Sequence, residues 1–403
     1  MVWRFPSGVI VSVVPVPRVV EINRIEDGRV HLHGSDGKFL NILAQALKFK
    51  YNVKIPPDRE WGRMTDDGNW TGMIGQVFRG EADFTLWTSV TKERSEAVDF
   101  SEPYDVDDLT YVTTLPENLP KAYAFFHPFD RITWCCLIFL ILMIPFFFWL
   151  LSSSGPSYFE RLLYLYGTIV HQPLNDEHFY QKTLLVFWWI TSIVLSVSYS
   201  GALLSFLSIP LQETPIRNFQ ELSMAVSKNQ YRCLDVNGTA FVPGLLASKR
   251  EDLVHLADTI IRNNWFLTYP ESQTETYFDG RTAHLGSRIF LYFRFGKAPF
   301  TRKYVSEDTA YSYEMALGVR KNFCCKDELD AAIVKIKYAG IYQKLIEDEL
   351  YQSWFKYIKN LTIPETNHPL SVQDLSGALI IFAFGCILSI VAFIGECCFY
   401  KKK

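Results

Sequence analysis

The sequence predicts a membrane protein in which two water-soluble α/β half-lobes are combined with three transmembrane helices and a short re-entrant loop. The first evidence is three long apolar stretches. Ile132 to Leu151 and Thr183 to Ile209 contain no charged residue, and Leu375 to Tyr400 contains only Glu396. Each is long enough to cross the roughly 30 Å of hydrocarbon in a bilayer as a helix. A buried helix of a soluble protein seldom lacks a polar face over such a length.

The second evidence is that the remaining segments are charged and rich in turn formers. We expect residues 1–127 and 210–370 to form the first and second half-lobes of one ligand-binding domain. The predicted membrane parts are a first transmembrane helix at 131–152, a re-entrant pore loop at 157–176, a second transmembrane helix at 182–209, a last transmembrane helix at 373–400 and a cytoplasmic tail at 401–403.

The first half-lobe alternates short strands with amphipathic helices. Apolar residues at helical spacing predict a helix from Gly37 to Leu47, and a strand from Tyr51 to Ile55 follows it. A short helix ends at Gly80, before a predicted strand from Asp83 to Trp87. This alternation predicts a parallel α/β layer.

The second half-lobe repeats the alternation. We predict a strand from Met224 to Val226, a helix N-terminus at Gly238 and Thr239, and one long amphipathic helix from Ala331 to Leu350. Two α/β lobes that meet at a cleft are typical of hinge-closing proteins that bind small molecules.

The stretch from Tyr158 to Gln172 is apolar on one side, but it is short and contains Glu160 and Arg161. Its length suits a re-entrant half-helix better than a full span. The basic residues Lys401 to Lys403 follow the last span, which predicts a cytoplasmic C-terminus. With three spans, both half-lobes then lie outside the cell.

Charge and cysteine spacing exclude several classes of function. The net charge of -3 and the lack of a basic patch argue against nucleic-acid binding. The eight cysteines show no zinc-site spacing, so we expect no metal or cofactor. Cys233 could form a disulfide with Cys324 or Cys325, and the sequence leaves that pairing open.

Three Asn-x-Thr sequons lie in the soluble segments, as an external location allows. We predict glycosylation at Asn69 and Asn360. A glycan on Asn237 would crowd the cleft beside Thr239, so we predict that Asn237 caps the helix instead.

Four motifs occur in order along the chain. Gly68 to Asp83 follows the pattern G-x-W-x-G-x-x-G-x-x-x-x-G-x-A-D, and Val98 to Tyr104 follows V-D-F-S-x-P-Y. Ser198 to Phe206 resembles the gate motif S-Y-T-A-N-L-A-A-F, with five of nine positions altered, and Ile394 to Tyr400 resembles an I-E-F-C-Y ending. Together they resemble the ionotropic glutamate receptor superfamily over essentially the whole chain. The sequence looks most like the divergent arthropod chemosensory receptors that lack an amino-terminal domain.

The resemblance implies a bilobed, periplasmic-binding-protein-like extracellular domain and a ligand-gated cation channel in the plasma membrane. Binding of a small molecule would close the lobes and open a pore formed by a homo- or hetero-tetramer in membrane lipid. Monovalent and divalent cations would be the permeant ions. By this resemblance the predicted ligand-binding residues are Trp87, Ser89, Thr91, Arg94, Gly238, Thr239 and Ser287.

The resemblance also predicts the chemistry of the ligand. Arg94 stands where the family has its carboxylate-binding arginine, and Ser287 stands where it has the acid that pairs with the ligand's amino group. An ammonium there would be desolvated and poorly paired. We therefore expect a carboxylate without an α-amino group rather than glutamate, although Glu275 or Asp279 could supply an acid from a nearby loop.

The resemblance assigns the pore and the gate as well. His171 and Gln172 are predicted to line the narrowest part of the pore, with Asp176 and Glu177 adding negative potential at its inner mouth. The predicted gate is formed by the mostly small residues Ser198, Tyr199, Ser200, Gly201 and Ala202, which would let neighbouring helices approach closely.

Three alternatives to a conducting channel subunit differ in how well the sequence supports them. An accessory subunit that does not conduct alone is the closest, because the gate motif is altered. A membrane-bound enzyme is disfavoured because the sequence has no nucleophile elbow, HExxH or Gly-rich phosphate loop. A transporter would normally show paired repeat spans, which three spans and one loop do not provide.

Overall fold

The computed structural model describes residues 5–24, 30–115, 125–151, 157–172, 182–208, 214–278, 280–296, 302–360, 372 and 375–400. The chain forms two compact units. The first combines residues 1–116 with residues 214–364, and the second combines residues 117–213 with residues 365–403.

Strands and helices alternate along most of the described chain. The strands are β1 Gly8–Ser12, β2 Glu21–Arg24, β3 Val30–His33, β4 Lys50–Lys54, β5 Phe84–Thr85, β6 Thr88–Ser89, β7 Asp99–Phe100, β8 Asp105–Thr114, β9 Arg232–Val236, β10 Phe266–Leu267, β11 Thr282–Ser287, β12 Lys303–Val305, β13 Ser312–Ala316 and β14 Gly318–Val319. The helices are α1 Gly34–Leu47, α2 Gly72–Phe78, α3 Lys92–Ala97, α4 Arg131–Leu151, α5 Tyr158–Ile169, α6 Lys182–Ser208, α7 Phe219–Ser227, α8 Phe241–Leu246, α9 Glu251–Arg262, α10 Tyr269–Ser272, α11 Arg288–Phe295, α12 Lys326–Tyr338, α13 Ile341–Asn360 and α14 Ser376–Tyr400.

The first lobe is built on a sheet of order β4-β1-β5-β14-β7. β1 pairs in parallel with both β4 and β5, which confirms the predicted parallel layer. Helices α1, α12 and α13 pack against one another beside the sheet. Their apolar faces bury Phe39, Leu43 and Ile333 completely, because residues at helical spacing place one continuous stripe toward the core.

The second lobe is built on a sheet of order β10-β9-β11-β8-β13-β6, and β12 also pairs with β8. Its central strand β8 comes from the first sequence segment, whereas β14 of the first lobe comes from the second segment. Each lobe therefore draws strands from both segments. Periodicity predicts that a strand forms but not which strand it pairs with, so this interleaving was not visible in the sequence.

Two predicted elements of the second segment are wrong. Met224 to Val226 lies inside helix α7 rather than in a strand, because Leu222 and Val226 face the core four residues apart. The predicted helix from Ala331 to Leu350 is broken between α12 and α13. Gly340 takes a left-handed conformation there, with φ 68°, which ends the first helix.

The predicted cysteine pairing is not formed among the described residues. Cys233 is buried in the core of the second lobe, and Cys325 is buried in the core of the first. Cys324 adjoins Cys325, with 2.7 Å between the two sulfur atoms. A bond from Cys233 to either residue would require the two lobe cores to meet.

In the second unit, three described helices are long and apolar enough to span a membrane: residues 131–151, 182–207 and 376–395. Pro145 lies inside α4, where a proline removes one backbone hydrogen bond. The Tyr158 hydroxyl donates to the Leu142 carbonyl (3.2 Å), and the buried Arg161 side chain donates to the Phe148 carbonyl. The polar residues of α5 thus satisfy carbonyl groups of α4, which stabilises a half-helix beside it.

Candidate functional site

A small cavity of about 60 Å³ lies where the two lobes meet, and its walls are mainly aromatic and aliphatic. It is lined by Val16, Trp61, Trp87, Ser89, Arg94, Val236, Thr239, Ala240, Phe241, Tyr269, Ser272, Leu285, Gly286, Ser287, Phe290, Tyr313 and Met315. Ser89, Arg94 and Thr239 also line a larger neighbouring groove of about 650 Å³.

Four aromatic rings form one wall of this cavity. Trp61 contacts Trp87 at 5.7 Å and Tyr269 at 5.5 Å between ring centroids, and Trp87 contacts Phe290 at 6.1 Å. Trp87 also has φ 55°, a conformation that costs a bulky residue about 1–3 kcal/mol. Backbone strain of this kind is concentrated at ligand sites, and here it lies directly in the cavity wall.

Arg94 provides the positive charge of the cavity. It lies in α3, where Thr91 caps the helix by accepting from the Arg94 backbone N–H (3.2 Å). The side chain is only 2% exposed, and burial lowers its pKa to about 10, so it stays protonated at neutral pH. Within the described chain, no carboxylate oxygen lies within 4 Å of its guanidinium.

The five N–H groups of Arg94 all donate to neutral oxygens. Nε and Nη2 donate to the Gly62 carbonyl (3.2 and 3.0 Å), Nη1 donates to the carbonyl and the Oγ of Ser89 (3.2 and 2.7 Å), and Nη2 donates to the Gly238 carbonyl (3.0 Å). The charge is therefore hydrogen-bonded but not neutralised. A carboxylate that replaced one of these carbonyls would form a stronger, charge-assisted bond.

Gly238 joins the lobes at this point. Its carbonyl accepts from Arg94 and from the Gly62 backbone N–H (3.1 Å), both of which belong to the first lobe. Its φ is 80°, and a Cβ atom there would lie 2.5 Å from the Glu60 Cβ. Only glycine permits so close an approach of the lobes.

Two hydroxyl groups of the cavity are backed by buried carboxyl groups. Ser287 Oγ donates to Asp107, and Thr239 Oγ1 donates to both oxygens of Asp235 (3.1 Å each). Burial raises the pKa of Asp107 to about 6 and that of Asp235 to about 7. Neither carboxyl group lines the cavity.

Tyr269 supplies a polar atom that has no partner. Its side chain is 7% exposed and lines the cavity, and its hydroxyl makes no hydrogen bond with any described residue. Burial raises the pKa of this phenol well above its usual value, so it remains a neutral donor and acceptor. A ligand atom in the cavity could satisfy it.

The structure brings most of the predicted ligand residues together. Trp87, Ser89, Arg94, Thr239 and Ser287 line the cavity, whereas Gly238 supplies a carbonyl to Arg94 beside it. Thr91 lines an adjoining groove of about 650 Å³ instead. Sequence reasoning missed Trp61, Tyr269 and Phe290, and no local motif distinguishes these aromatic residues from ordinary core residues.

Four neighbouring expectations have different outcomes. The helix N-terminus predicted at Gly238 and Thr239 and the cap predicted for Asn237 are both wrong, because α8 starts at Phe241 with Ala240 at its N-cap and no side-chain cap. Asn237 instead donates its backbone N–H to the Leu267 carbonyl (2.8 Å). Glu275 is exposed and does not line the cavity, and Asp279 lies outside the described residues.

The predicted glycosylation sites lie at contrasting positions. Asn69 is exposed in the loop before α2. Asn360 is the last residue of α13, and its side chain lies outside the described part of the chain.

The predicted pore residues follow the half-helix α5. His171 has φ 57°, and its Nε2 lies 2.9 Å from Ser196 Oγ of α6. Gln172 donates its backbone N–H to the Gly167 carbonyl (2.9 Å), and a Cβ on Gly167 would lie 2.9 Å from Gln172 Oε1. The turn after α5 is therefore tight. Asp176, Glu177 and the tail at 401–403 lie outside the described residues.

The predicted gate residues lie in the second half of α6. Ser198, Ser200 and Gly201 are exposed in this single chain. Tyr199 donates its hydroxyl to the Phe125 carbonyl (3.1 Å) and contacts the rings of Phe129 and Trp134 at 6.0 and 6.3 Å. Tyr199 therefore joins α6 to the start of α4, while the small residues leave their face of the helix uncovered.

Two sequence families match the chain in succession. A family described as "Ligated ion channel L-glutamate- and glycine-binding site" matches residues 8–117, and one described as "Ligand-gated ion channel" matches residues 131–386, more than half of the chain. The chain belongs to the ionotropic glutamate receptor family. This membership confirms the predicted fold class, a ligand-binding lobe pair with a channel domain. The two matched families are those of receptor channels and not of enzymes.

Two named proteins show how similar this ionotropic glutamate receptor homologue is to individual relatives. It is 23% identical over 387 residues to a protein named "Probable glutamate receptor" from Anas platyrhynchos, covering 91% of this chain and 78% of that protein. It is 26% identical over 235 residues to "Glutamate receptor ionotropic, delta-1" from Homo sapiens, covering 54% of this chain. The aligned part is only 23% of that delta-1 receptor.

Proposed function

We propose that this chain is a subunit of a ligand-gated cation channel whose ligand is a small carboxylate without an α-amino group. The observation that supports this most directly is Arg94, a buried cation in an apolar cavity with no acidic partner among the described residues. A buried charge without an opposite charge beside it destabilises the protein, so an anion that binds next to it offsets a large part of that desolvation free energy.

The walls of the cavity support the same ligand class. A bare organic cation would meet aromatic rings that suit it, but it would also meet the Arg94 guanidinium in the same cavity. A short organic acid avoids this repulsion, because its carboxylate faces Arg94 and its apolar part faces the aromatic wall.

In this proposal the lobes lie outside the cell, the C-terminus lies in the cytoplasm, and four subunits form the pore. Ligand binding favours the closed lobes and so pulls on α6, whose gate residues are Ser198, Tyr199, Ser200, Gly201 and Ala202. His171 and Gln172 line the pore, and Asn69 and Asn360 carry glycans. A chemosensory role, as in the arthropod receptors, fits a site in which Ser287 stands where the family has the acid that pairs with the amino group of glutamate.

A second candidate is an accessory subunit that binds ligand but conducts only in a mixed tetramer. The altered gate motif favours it. Voltage clamp of cells that express the chain alone or with candidate partner subunits distinguishes the two, since current only in mixtures identifies the accessory role.

The ion pathway is tested by His171→Arg, which is expected to reduce divalent permeation sharply; unchanged permeation removes His171 from the pore lining.

The ligand class is tested by binding to the purified full chain in detergent. Short acids such as propionate are expected to raise its melting temperature, and glutamate is not. Arg94→Lys keeps the charge but loses the planar fork, so it is expected to weaken acid binding at least ten-fold. Tight binding of glutamate with none of propionate would refute the proposed ligand.

A further inference from the structure

The two polar ends of the cavity differ in whether they offer hydrogen-bond donors or acceptors. At the first end, Ser89 Oγ accepts from Arg94 Nη1 at 2.7 Å. A hydroxyl that accepts from a guanidinium still has its own proton to donate. All five N–H groups of Arg94 already donate, so a carboxylate binds here by replacing one of the carbonyl oxygens at the guanidinium, and the Ser89 hydroxyl proton is a further donor to it.

At the second end, Thr239 offers an acceptor. Its Oγ1 lies 3.1 Å from both oxygens of Asp235, a fully buried carboxyl group, and its single proton is directed to that group. No donor within the described chain reaches Thr239 Oγ1, so its lone pairs are available. Ser287 Oγ, by contrast, already donates to Asp107 and accepts from the Phe290 backbone N–H (3.2 Å).

The two ends are close in space, although Arg94 and Thr239 are 145 positions apart in the chain. Gly238, which precedes Thr239, has its carbonyl 3.0 Å from Arg94 Nη2. Thr239 therefore follows the residue that contacts the carboxylate anchor, and its acceptor is placed to reach a group on the carbon next to the carboxylate. The cavity thus presents donors for a carboxylate and, beside them, an acceptor for a donor group.

We infer that the ligand is a small 2-hydroxy carboxylic acid, whose carboxylate binds Arg94 and Ser89 and whose hydroxyl donates to Thr239 Oγ1. This inference rests on the proposed function and names the ligand class of the same site. A neutral hydroxyl has one proton and needs one acceptor, which Thr239 provides.

An amino group fits this position less well. An ammonium has three N–H groups and a full charge to compensate, and the carboxyl groups of Asp235 and Asp107 lie behind Thr239 and Ser287 rather than in the cavity wall. The surrounding wall is apolar, so the ammonium would lose its hydration without gaining an ion pair. A 2-hydroxy acid avoids this loss.

The test uses three acids of matched shape that differ only in the group on the second carbon: propionate (hydrogen), lactate (hydroxyl) and alanine (ammonium). Binding to the full chain in detergent is followed by tryptophan fluorescence, since Trp61 and Trp87 line the cavity. Lactate is expected to bind about ten-fold tighter than propionate, and alanine more weakly than propionate.

Equal affinity for lactate and propionate, or tighter binding of alanine than of lactate, would overturn the inference. Binding of none of the three to folded protein would overturn the proposed carboxylate ligand, and this inference with it. These outcomes separate the failure of the hydroxyl assignment from the failure of the proposed function.

A variant pair assigns the effect to Thr239. Thr239→Val keeps the shape but removes the acceptor, so in this variant lactate should bind no more tightly than propionate. Thr239→Ser keeps the acceptor and should keep the preference for lactate. Should Thr239→Val fail to fold because Asp235 loses its donor, the wild-type acid series still decides the question. A lactate preference that survives in folded Thr239→Val would remove Thr239 from the site.

Discussion

Replacing Tyr269 by phenylalanine should stabilise the ligand-free protein. The Tyr269 hydroxyl is buried and has no hydrogen-bond partner among the described residues, although it is hydrated in the unfolded chain. Folding therefore desolvates it without compensation. Phenylalanine keeps the ring, which contacts Trp61 edge-to-face at 5.5 Å and 82°, and removes only the unpaired atom.

The expected gain follows from the cost of an unsatisfied buried polar group, about 1–3 kcal/mol. For a domain of this size each kcal/mol raises the melting temperature by roughly 2–4 °C. The same substitution should not change the packing of the aromatic wall, because no atom other than the hydroxyl oxygen is removed. The stabilisation is thus a direct measure of how poorly that hydroxyl is satisfied.

The assay is thermal unfolding of the full chain in detergent, followed by tryptophan fluorescence without ligand. Tyr104→Phe is the matched control, because the Tyr104 hydroxyl is also buried but donates to Asp36 at 2.8 Å. That variant should lose about 1–3 kcal/mol, the opposite sign. A loss of stability in Tyr269→Phe similar to that in Tyr104→Phe would refute the reasoning.

Three further predictions concern the lobe contact, a buried acid and the half-helix. Gly238→Ala should destabilise the closed lobes by about 1–3 kcal/mol and reduce acid binding, whereas Gly80→Ala, with φ 72° but open space around its Cβ, should leave acid binding unchanged. Burial raises the pKa of Asp36 from 3.8 to about 7, so the contribution of Asp36 to the free energy of unfolding is fully present below pH 3.8 and is lost as pH rises toward 7, by up to about 4 kcal/mol. Asp36→Asn should therefore flatten the fall in melting temperature between pH 5 and 8. An unchanged slope would contradict this. Arg161→Met should remove the buried hydrogen bond from Arg161 to the Phe148 carbonyl and cost about 1–3 kcal/mol of thermal stability, with partial recovery in Arg161→Lys; equal stability of all three proteins would count against the contact.

The sequence predicted the features that depend on local composition. The three spans follow from the length and hydropathy of single stretches, and α4, α6 and α14 lie where those stretches do. The strand-helix alternation of the first lobe follows from periodicity in the same way. Such features need no knowledge of which distant residues meet.

The cavity was harder to predict because its residues are distant in sequence. Trp61 and Tyr269 contact each other across more than 200 positions, and neither is marked by a motif. Arg94 was singled out only through the family resemblance, and its five hydrogen bonds to neutral oxygens depend on how the Gly62 and Gly238 carbonyls are brought together by folding. The break at Gly340 was missed because a single glycine inside an amphipathic pattern does not reveal its φ angle.

The interleaving of the strands determines how the chain enters and leaves its channel segments. β8 ends in the second lobe just before the segment that leads to α4, and the return from α6 is also attached there, because the Tyr111 hydroxyl donates to the Ile216 carbonyl (3.1 Å). The last connection starts instead from α13, which packs against α1 of the first lobe and against α11 beside β8 of the second. The first two covalent links to the membrane helices thus belong to one lobe, whereas the third starts from a helix that contacts both lobes. Shortening or lengthening the first two linkers therefore tests the transmission of motion from the second lobe, and altering residues 361–371 tests transmission through α13, without any change to the cavity.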